Sequence, residues 1–590
     1  MDEVKELKTF EEIKEEVSAT RGALEEDVNK HRAAIKDAKD YLNEQYEDMD
    51  VNELSENVQS INNMTDVMSS VASDLRNLKV LEESPYFARV DFLQNGQMDP
   101  LPFRIGPGGF WSEKDNEQKI IDWRAPAATL FYDYKTGPAG YRVETKEGMS
   151  SSVKEIKGTI TDRAQLVTKS GSLDVIRTGE SISDEMLLAA LGGNAPEKMR
   201  PVVSTIQHEQ NEIIRDNTSE VLVVDGRAGS GKTVIAMHRL SWLLYNRRKQ
   251  LNSGNVMILS PNTIFSDYIS DIMPELMEDP VPEKEWDDLA AEILLTDIPC
   301  ETRQMQAEVI RKGEDKERIS NIVFKSSIAF FDAVESYVNE VIAGHMQFSD
   351  FRYEKQVFPK EKLEKYYYEN FKSLPPYERL YNIAYFIMED VLALSGRNFG
   401  EGRQERMQNV IWQMLLDRFA EKNVLNIYRD ILSVVAKVRP DAEEILTEEG
   451  LIRYEDLQVL LYLQVKLYGC KTYKEVKHLM VDEMQDYTVF QLAVMKEVFG
   501  GRKTFLGDRL QTLIPSDDEN VLDSMIRIFP ERTLRVLSTS YRSTAEIAAF
   551  CNGLIGEEDA AEAVERHGKA PEVIKVSADT CRDGTTASER

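Results

Sequence analysis

The chain has 590 residues, of which 103 are Asp or Glu and 72 are Lys or Arg, for a formal charge of −31. Hydrophobic residues make up 42% and charged residues 30%, which excludes wholesale disorder and leaves room for several packed domains. No apolar run is long enough to span a membrane, and the N-terminus, MDEVKELKTF, has no secretory pattern. Cys300, Cys470, Cys551 and Cys581 lie far apart and make neither a disulfide framework nor a metal pair, so a cytoplasmic location is expected. The acidic balance restricts any nucleic-acid groove to a local one.

Residues 1–84 contain one glycine and no proline. Val17 and Leu24, and then Val28, Ile35 and Leu42, are seven apart. Leu54, Ile61, Met68 and Leu75 repeat the spacing, as do Met64, Val71 and Leu78. This pattern predicts two long helices in an antiparallel coiled-coil hairpin, with its turn near 43–51. Glu44, Glu47, Asp48 and Asp50 make that turn acidic. From Pro85 the pattern becomes β-like, with runs at Phe103–Ile105, Lys119–Trp123, Thr129–Tyr134, Ser151–Ile160 and Gln165–Thr168 separated by glycine turns. A small antiparallel β-rich module is expected over 85–200.

The strongest local signal is Gly226-Arg227-Ala228-Gly229-Ser230-Gly231-Lys232-Thr233, which fits G-x-x-x-x-G-K-[ST]. The apolar run 221–224 precedes it, and 234–244 follows with helical spacing. The glycines let backbone N–H groups wrap a phosphate, Lys232 reaches the β and γ oxygens, and Thr233 ligates Mg²⁺. ATP and Mg²⁺ are therefore expected. A mainly helical stretch, charged and aromatic, fills 281–474. After it, His478–Val481 is an apolar run that ends in Asp482 and Glu483. At the end of a buried strand these carboxylates have distinct tasks: Asp482 holds the metal and Glu483 polarises the attacking water.

Asp482-Glu483-Met-Gln-Asp486 resembles the DExQD box of superfamily 1 helicases of the UvrD/Rep type, and further strings fall in the order of that family. Gln210 in 206–210 resembles the adenine-reading Q motif, and 256–262 resembles motif Ia. Residues 505–511 resemble motif III, with Gln511 as the γ-phosphate sensor. Residues 540–543 resemble motif IV, with Tyr541 stacking on adenine and Arg542 as the arginine finger. Asp122-Trp-Arg-Ala-Pro126, Phe131-Tyr132 and the preceding helices narrow the resemblance to HelD proteins, UvrD-like ATPases that clear stalled or idle transcription complexes from bacterial RNA polymerase.

The fold this implies is α/β: a P-loop, RecA-like parallel sheet with an N-terminal coiled coil, a small β-rich module and a large helical insertion. The first RecA-like domain is expected over 201–280 and 475–530, interrupted by the insertion, and the second begins at 531–590. The resemblance also implies that the hairpin enters the polymerase secondary channel, its tip carboxylates near the active-site Mg²⁺, while the insertion enters the main channel and displaces DNA or RNA. A 3′–5′ DNA helicase and a non-catalytic polymerase-binding fragment are the alternatives. Only 47 residues follow Ser543, with no string of motif V or VI type, so weak turnover is expected of this chain.

Overall fold

The computed structural model describes residues 3–45, 51–147, 150–169, 172–178, 206–260, 269, 272–294, 296–344, 346–395, 400–418, 423–437, 439, 442, 444–514, 519–540, 543–555, 560, 562–563 and 567–573. The chain starts with two helices, α1 (Glu3–Gln45) and α2 (Val51–Glu83), which fold back on each other. At 1.5 Å per residue α1 is about 65 Å long. Among the described residues the pair is anchored at its root: Phe10, Ile13, Val17 and Leu81 pack with Tyr86, Phe110, Ile120 and Leu166 of the following sheet. Glu6, 1% exposed, accepts a hydrogen bond from the Tyr86 hydroxyl at 2.7 Å and pairs with Arg89. Beyond Val28 the described side chains of α1 are half-buried or exposed, so the distal hairpin projects from the body.

A seven-stranded sheet follows, in the order β3-β4-β2-β1-β6-β5, with β7 also paired to β6. Its strands are β1 (Ala88–Gln94), β2 (Leu101–Gly106), β3 (Phe110–Ser112), β4 (Glu117–Asp122), β5 (Gly137–Glu147), β6 (Ser150–Lys169) and β7 (Ser172–Thr178). The pairing is antiparallel except between β2 and β4. Two local expectations change. Thr129–Tyr132 is a short helix rather than part of a strand, because Pro126 opens a turn that buries Leu130, Phe131 and Tyr132 together on one side. The runs at 151–160 and 165–168 are one continuous strand, β6.

The central sheet is wholly parallel: β10 (Glu283–Glu285), β9 (Val256–Ser260), β13 (His478–Val481), β14 (Arg502–Gly507), β8 (Val221–Gly226) and β15 (Thr533–Leu537), in that order. A two-stranded hairpin, β11 (Phe351–Tyr353) and β12 (Gln356–Phe358), lies in the helical region, and β16 (Thr539–Ser540) pairs in parallel with β17 (Glu562–Ala563). Two expected boundaries therefore fall inside the central sheet. β10 lies beyond 281, where the insertion was expected to begin, and is an edge strand too short and charged to read as one. β15 lies beyond 531, where a second domain was expected to begin, and pairs with the P-loop strand instead.

Alternation along the strands assigns the two faces. Leu222, Val224, Ile258, Met480 and Leu506 point into one core with Trp123, Phe131 and Leu240. Val223, Leu259, Leu479, Val481 and Phe505 point into the other, which runs continuously into the helices of the insertion. There Phe330 and Phe331 meet Phe490, and Phe331 also meets Tyr462, at centroid distances of 5.2–5.9 Å. On the first face the β module is joined to the P-loop helix by buried charge. Arg124 donates to Asp122 Oδ2 at 2.7 Å, Ser241 Oγ at 3.1 Å and the Leu276 carbonyl at 3.1 Å, and pairs with Glu278. Arg215 donates to the Trp123 carbonyl at 2.6 Å.

Candidate nucleotide-binding site

Five strands of the sheet end on one edge, at Gly226, Ser260, Val481, Gly507 and Leu537. In an open parallel sheet this carboxyl edge is where ligands bind. β8 runs into the P-loop, and the helix Lys232–Asn246 starts directly after Gly231, whose φ of +82° needs a residue without Cβ. Gly226 is required for space: a Cβ there would sit 2.6 Å from Ser230 Oγ and 2.8 Å from Lys232 Cγ. The loop is pinned at its shoulders, where Arg227 N donates to the Leu537 carbonyl at 3.2 Å and Ser540 Oγ to the Ala228 carbonyl at 2.9 Å.

Lys232 Nζ is turned back onto its own loop, donating to the carbonyls of Gly226 at 2.8 Å and Arg227 at 3.3 Å. Its ammonium therefore hangs over the hollow of the loop. Ser230 Oγ, fully buried, has no hydrogen-bond partner among the described residues. Thr233 Oγ1 lies 3.4 Å from Asp482 Oδ2, although 249 residues separate them. Burial first, and then the neighbouring Glu483 carboxylate, push Asp482 up to about 7. A hydroxyl and a buried carboxylate short of positive charge are hard oxygen donors of the kind Mg²⁺ takes. The residues present thus fit an Mg²⁺–triphosphate.

Glu483 is held in a left-handed conformation, φ +49°, that costs a non-glycine residue energy and is common at functional sites. Gln485 supports it, donating from Nε2 to Glu483 Oε2 at 2.7 Å while its Oε1 accepts from Asp508 N at 2.9 Å. Gln511 donates to Asp508 Oδ2 at 2.7 Å. Asp486 turns the other way and pairs with Arg303 of the insertion at 2.6 Å. Gln210, at the third position of its helix, accepts from Gln207 N at 3.2 Å and reaches the Ser230 carbonyl at 3.5 Å. The same helix is fixed to the β module where Asn211 donates to Asp133 Oδ1 at 2.7 Å.

Gln210, the loop 226–233, Asp482, Glu483 and Gln511 are thus brought to one edge. Tyr541 and Arg542 lie outside the described residues, as do Glu47, Asp48 and Asp50, and Glu44 falls at the end of α1. Gln485 and Arg303 were not singled out from sequence. The Gln of DExQD was a signal for the first. No local pattern marks Arg303, which meets Asp486 only through the fold. Residues 261–262, the end of the motif Ia resemblance, also lie outside the described residues.

The all-parallel sheet, the P-loop and the acid on a neighbouring strand define a RecA-type P-loop ATPase domain. Residues 206–513, more than half of the chain, match the family of the UvrD/REP helicase N-terminal domain, and residues 5–185 match the N-terminal domain of DNA helicase IV HelD. The chain belongs to the UvrD/Rep-like superfamily 1 helicases and is of HelD type. No curated protein matches it. Among the described residues no helix is long and apolar enough to cross a membrane.

Proposed function

We propose that the protein is an ATP-dependent factor that binds bacterial RNA polymerase and releases DNA or RNA from stalled or idle transcription complexes. The observation that carries this reading is a nucleotide edge joined to two probes: a hairpin anchored, among the described residues, at its root, and a helical insertion tied by Arg303 to the acid box. Glu44, Glu47, Asp48 and Asp50 at the hairpin turn are the residues assigned to the polymerase secondary channel, and the insertion is assigned to the main channel.

In this reading Gln210 and Tyr541 hold the adenine, and Lys232 leaves its two loop carbonyls to donate to the β and γ phosphate oxygens. Thr233 and Asp482 hold Mg²⁺, which neutralises charge on the phosphates when bound. Glu483 takes the proton of the attacking water, steered by Gln485. Gln511 and Arg542 contact the transferred phosphoryl group, where a well-placed arginine is worth about 10³–10⁵ in rate.

The test is paired. The full chain is passed over immobilised bacterial RNA polymerase, and nucleic-acid release from a stalled complex is followed with ATP. Retention and ATP-sensitive release are expected, and Lys232→Ala should abolish nucleotide binding while leaving retention intact. Unwinding of a 3′-tailed duplex without polymerase, together with no retention, would replace this reading with a DNA helicase.

A further inference from the structure

The central sheet has a second edge, at the amino-terminal ends of its strands, and that edge differs in charge from the chain as a whole. A cleft of about 370 Å³ opens there, a size at which small-ligand sites occur. Leu251, Val476 and the Gly500-Gly501 pair line it with apolar surface. Arg247, Lys474, Lys477 and Arg502 also line it, against one lining carboxylate, Glu220. A net positive hollow is unexpected in a protein of charge −31.

The cations are held in place by the fold. Arg247 ends the P-loop helix, and Lys477 and Arg502 stand at the starts of β13 and β14. Arg247 Nη2 and Arg502 Nη1 each donate to the same Asn217 carbonyl at 2.7 Å, so two guanidinium groups converge on one point. Glu220, exposed, pairs with Arg502 at 2.9 Å, and Glu378, half-buried, with the exposed Lys474 at 3.5 Å. The Lys477 ammonium has no hydrogen bond or ion pair among the described residues. Burial first, and then Arg502, hold Arg247 below the usual arginine range against the opposing pull of Glu220 and Asp216.

We propose that this cleft binds a phosphate-bearing ligand at a site separate from the P-loop, with Arg247 and Arg502 on its phosphate oxygens and Lys477 closing the rim. Arg is the side chain suited to planar, bidentate capture of phosphate, and Lys serves as a point charge. A strand of about six residues, roughly 20 Å, separates the cleft from the nucleotide edge, so both sites can be filled together. The phosphate comes either from a nucleic-acid backbone or from a free polyphosphate.

The experiment uses the full chain carrying Lys232→Ala, so that the P-loop does not report. Binding of a labelled single-stranded oligodeoxynucleotide and of tripolyphosphate is measured for this chain and with Lys477→Glu, Arg502→Gln or Lys477→Arg added. Lys477→Glu and Arg502→Gln should each weaken the bound probe by about tenfold and lower the salt slope for the oligonucleotide by about one. Lys477→Arg should retain binding, and bound probe should protect Lys477 from amine-reactive labelling. Oligonucleotide binding that tripolyphosphate does not displace assigns a backbone, and mutual displacement assigns a free polyphosphate. Equal affinities in all variants, or unprotected Lys477, would overturn the site.

Discussion

The two faces of the central sheet are closed by different chemistry. Toward the β module the closure is ionic and directional: Asp122 and Arg124 are buried together with Glu278 half-buried beside them, and Trp123 meets His238 edge-on at 5.4 Å. Toward the insertion it is a matter of volume, with Phe330, Phe331, Tyr462 and Phe490 interleaved in a continuous apolar core. An ionic joint fixes how the module sits, because its donors have few alternative partners. An aromatic core tolerates changes of shape better than changes of volume. The module and the insertion, both attached to one ATPase sheet, should therefore fail in different ways.

The largest effects should come from removing one key residue on each face. Phe331→Ala should cost about 3–5 kcal/mol through the cavity it leaves. Arg124→Ala should cost about 3–5 kcal/mol because it strands buried carboxylates. Their pH dependence separates them. Burial pushes Glu278 up to about 7 even beside Arg124, and without the guanidinium it rises further. The variant's Glu278 takes up its proton above pH 7, before the parent's does, so the Arg124→Ala deficit should shrink between about pH 9 and pH 7 while that of Phe331→Ala stays level. Denaturant unfolding at the two pH values reads this directly. Equal pH dependence in both variants would show that the joint is not electrostatic.

The same contrast explains what could be read from the sequence. The P-loop and the acid box are local strings whose chemistry dictates their residue types, so Gly226–Thr233 and Asp482-Glu483 were legible before any fold was known. The strands that carry these strings, β13 and β8, lie with β9 and β14 in one run of the sheet, which brings their ends to one edge. Heptad spacing located the two hairpin helices. The short edge strand β10 and the strand β15 were not legible, because an edge strand is defined by what it pairs with and carries little pattern of its own. Nor was the helix at Thr129–Tyr132, whose β-branched and aromatic residues are held by tertiary packing. Asp122-Trp123-Arg124 was visible as a string, but its role as a joint depends on Glu278 and Leu276, more than 150 residues away.

A second effect, of intermediate size, sharpens the comparison by placing proton linkage on the module face. His238 is fully buried against Trp123, its Nδ1–H directed to the Val234 carbonyl at 2.8 Å, and burial holds it down to about 4. His478, on the same side of the sheet, is also depressed by burial and by nearby arginines. A histidine depressed in the fold binds a proton more readily once unfolded, so stability is lost as pH falls from about 6.5 toward 4. For His238 the change is about 3 kcal/mol over that range. His238→Gln should therefore lose less stability than the parent between pH 7 and pH 4.5. Parallel stability curves for the two chains would place the histidine in solvent and defeat the assignment.

The smallest expected effect on stability tests whether the insertion face communicates with the nucleotide edge or only supports it. Arg303 and Asp486 form the one ion pair described between the insertion and the acid box, with Asp486 10% exposed. Removing the guanidinium leaves a mostly buried carboxylate without its cation, at a cost of about 1–3 kcal/mol. Asp486 follows Gln485, which holds Glu483 in its strained conformation and also accepts from the Asp508 backbone. A shift of Asp486 should therefore move the orienting side chain of Glu483 before it disturbs the apolar core. Arg303→Ala should lower turnover more than it lowers nucleotide affinity, because Lys232 and Thr233 are untouched, and Arg303→Lys should recover part of the loss. A variant that loses stability but keeps the parent's turnover at saturating ATP would show that Arg303 is only a strut. The two faces would then differ in chemistry but not in their influence on the site.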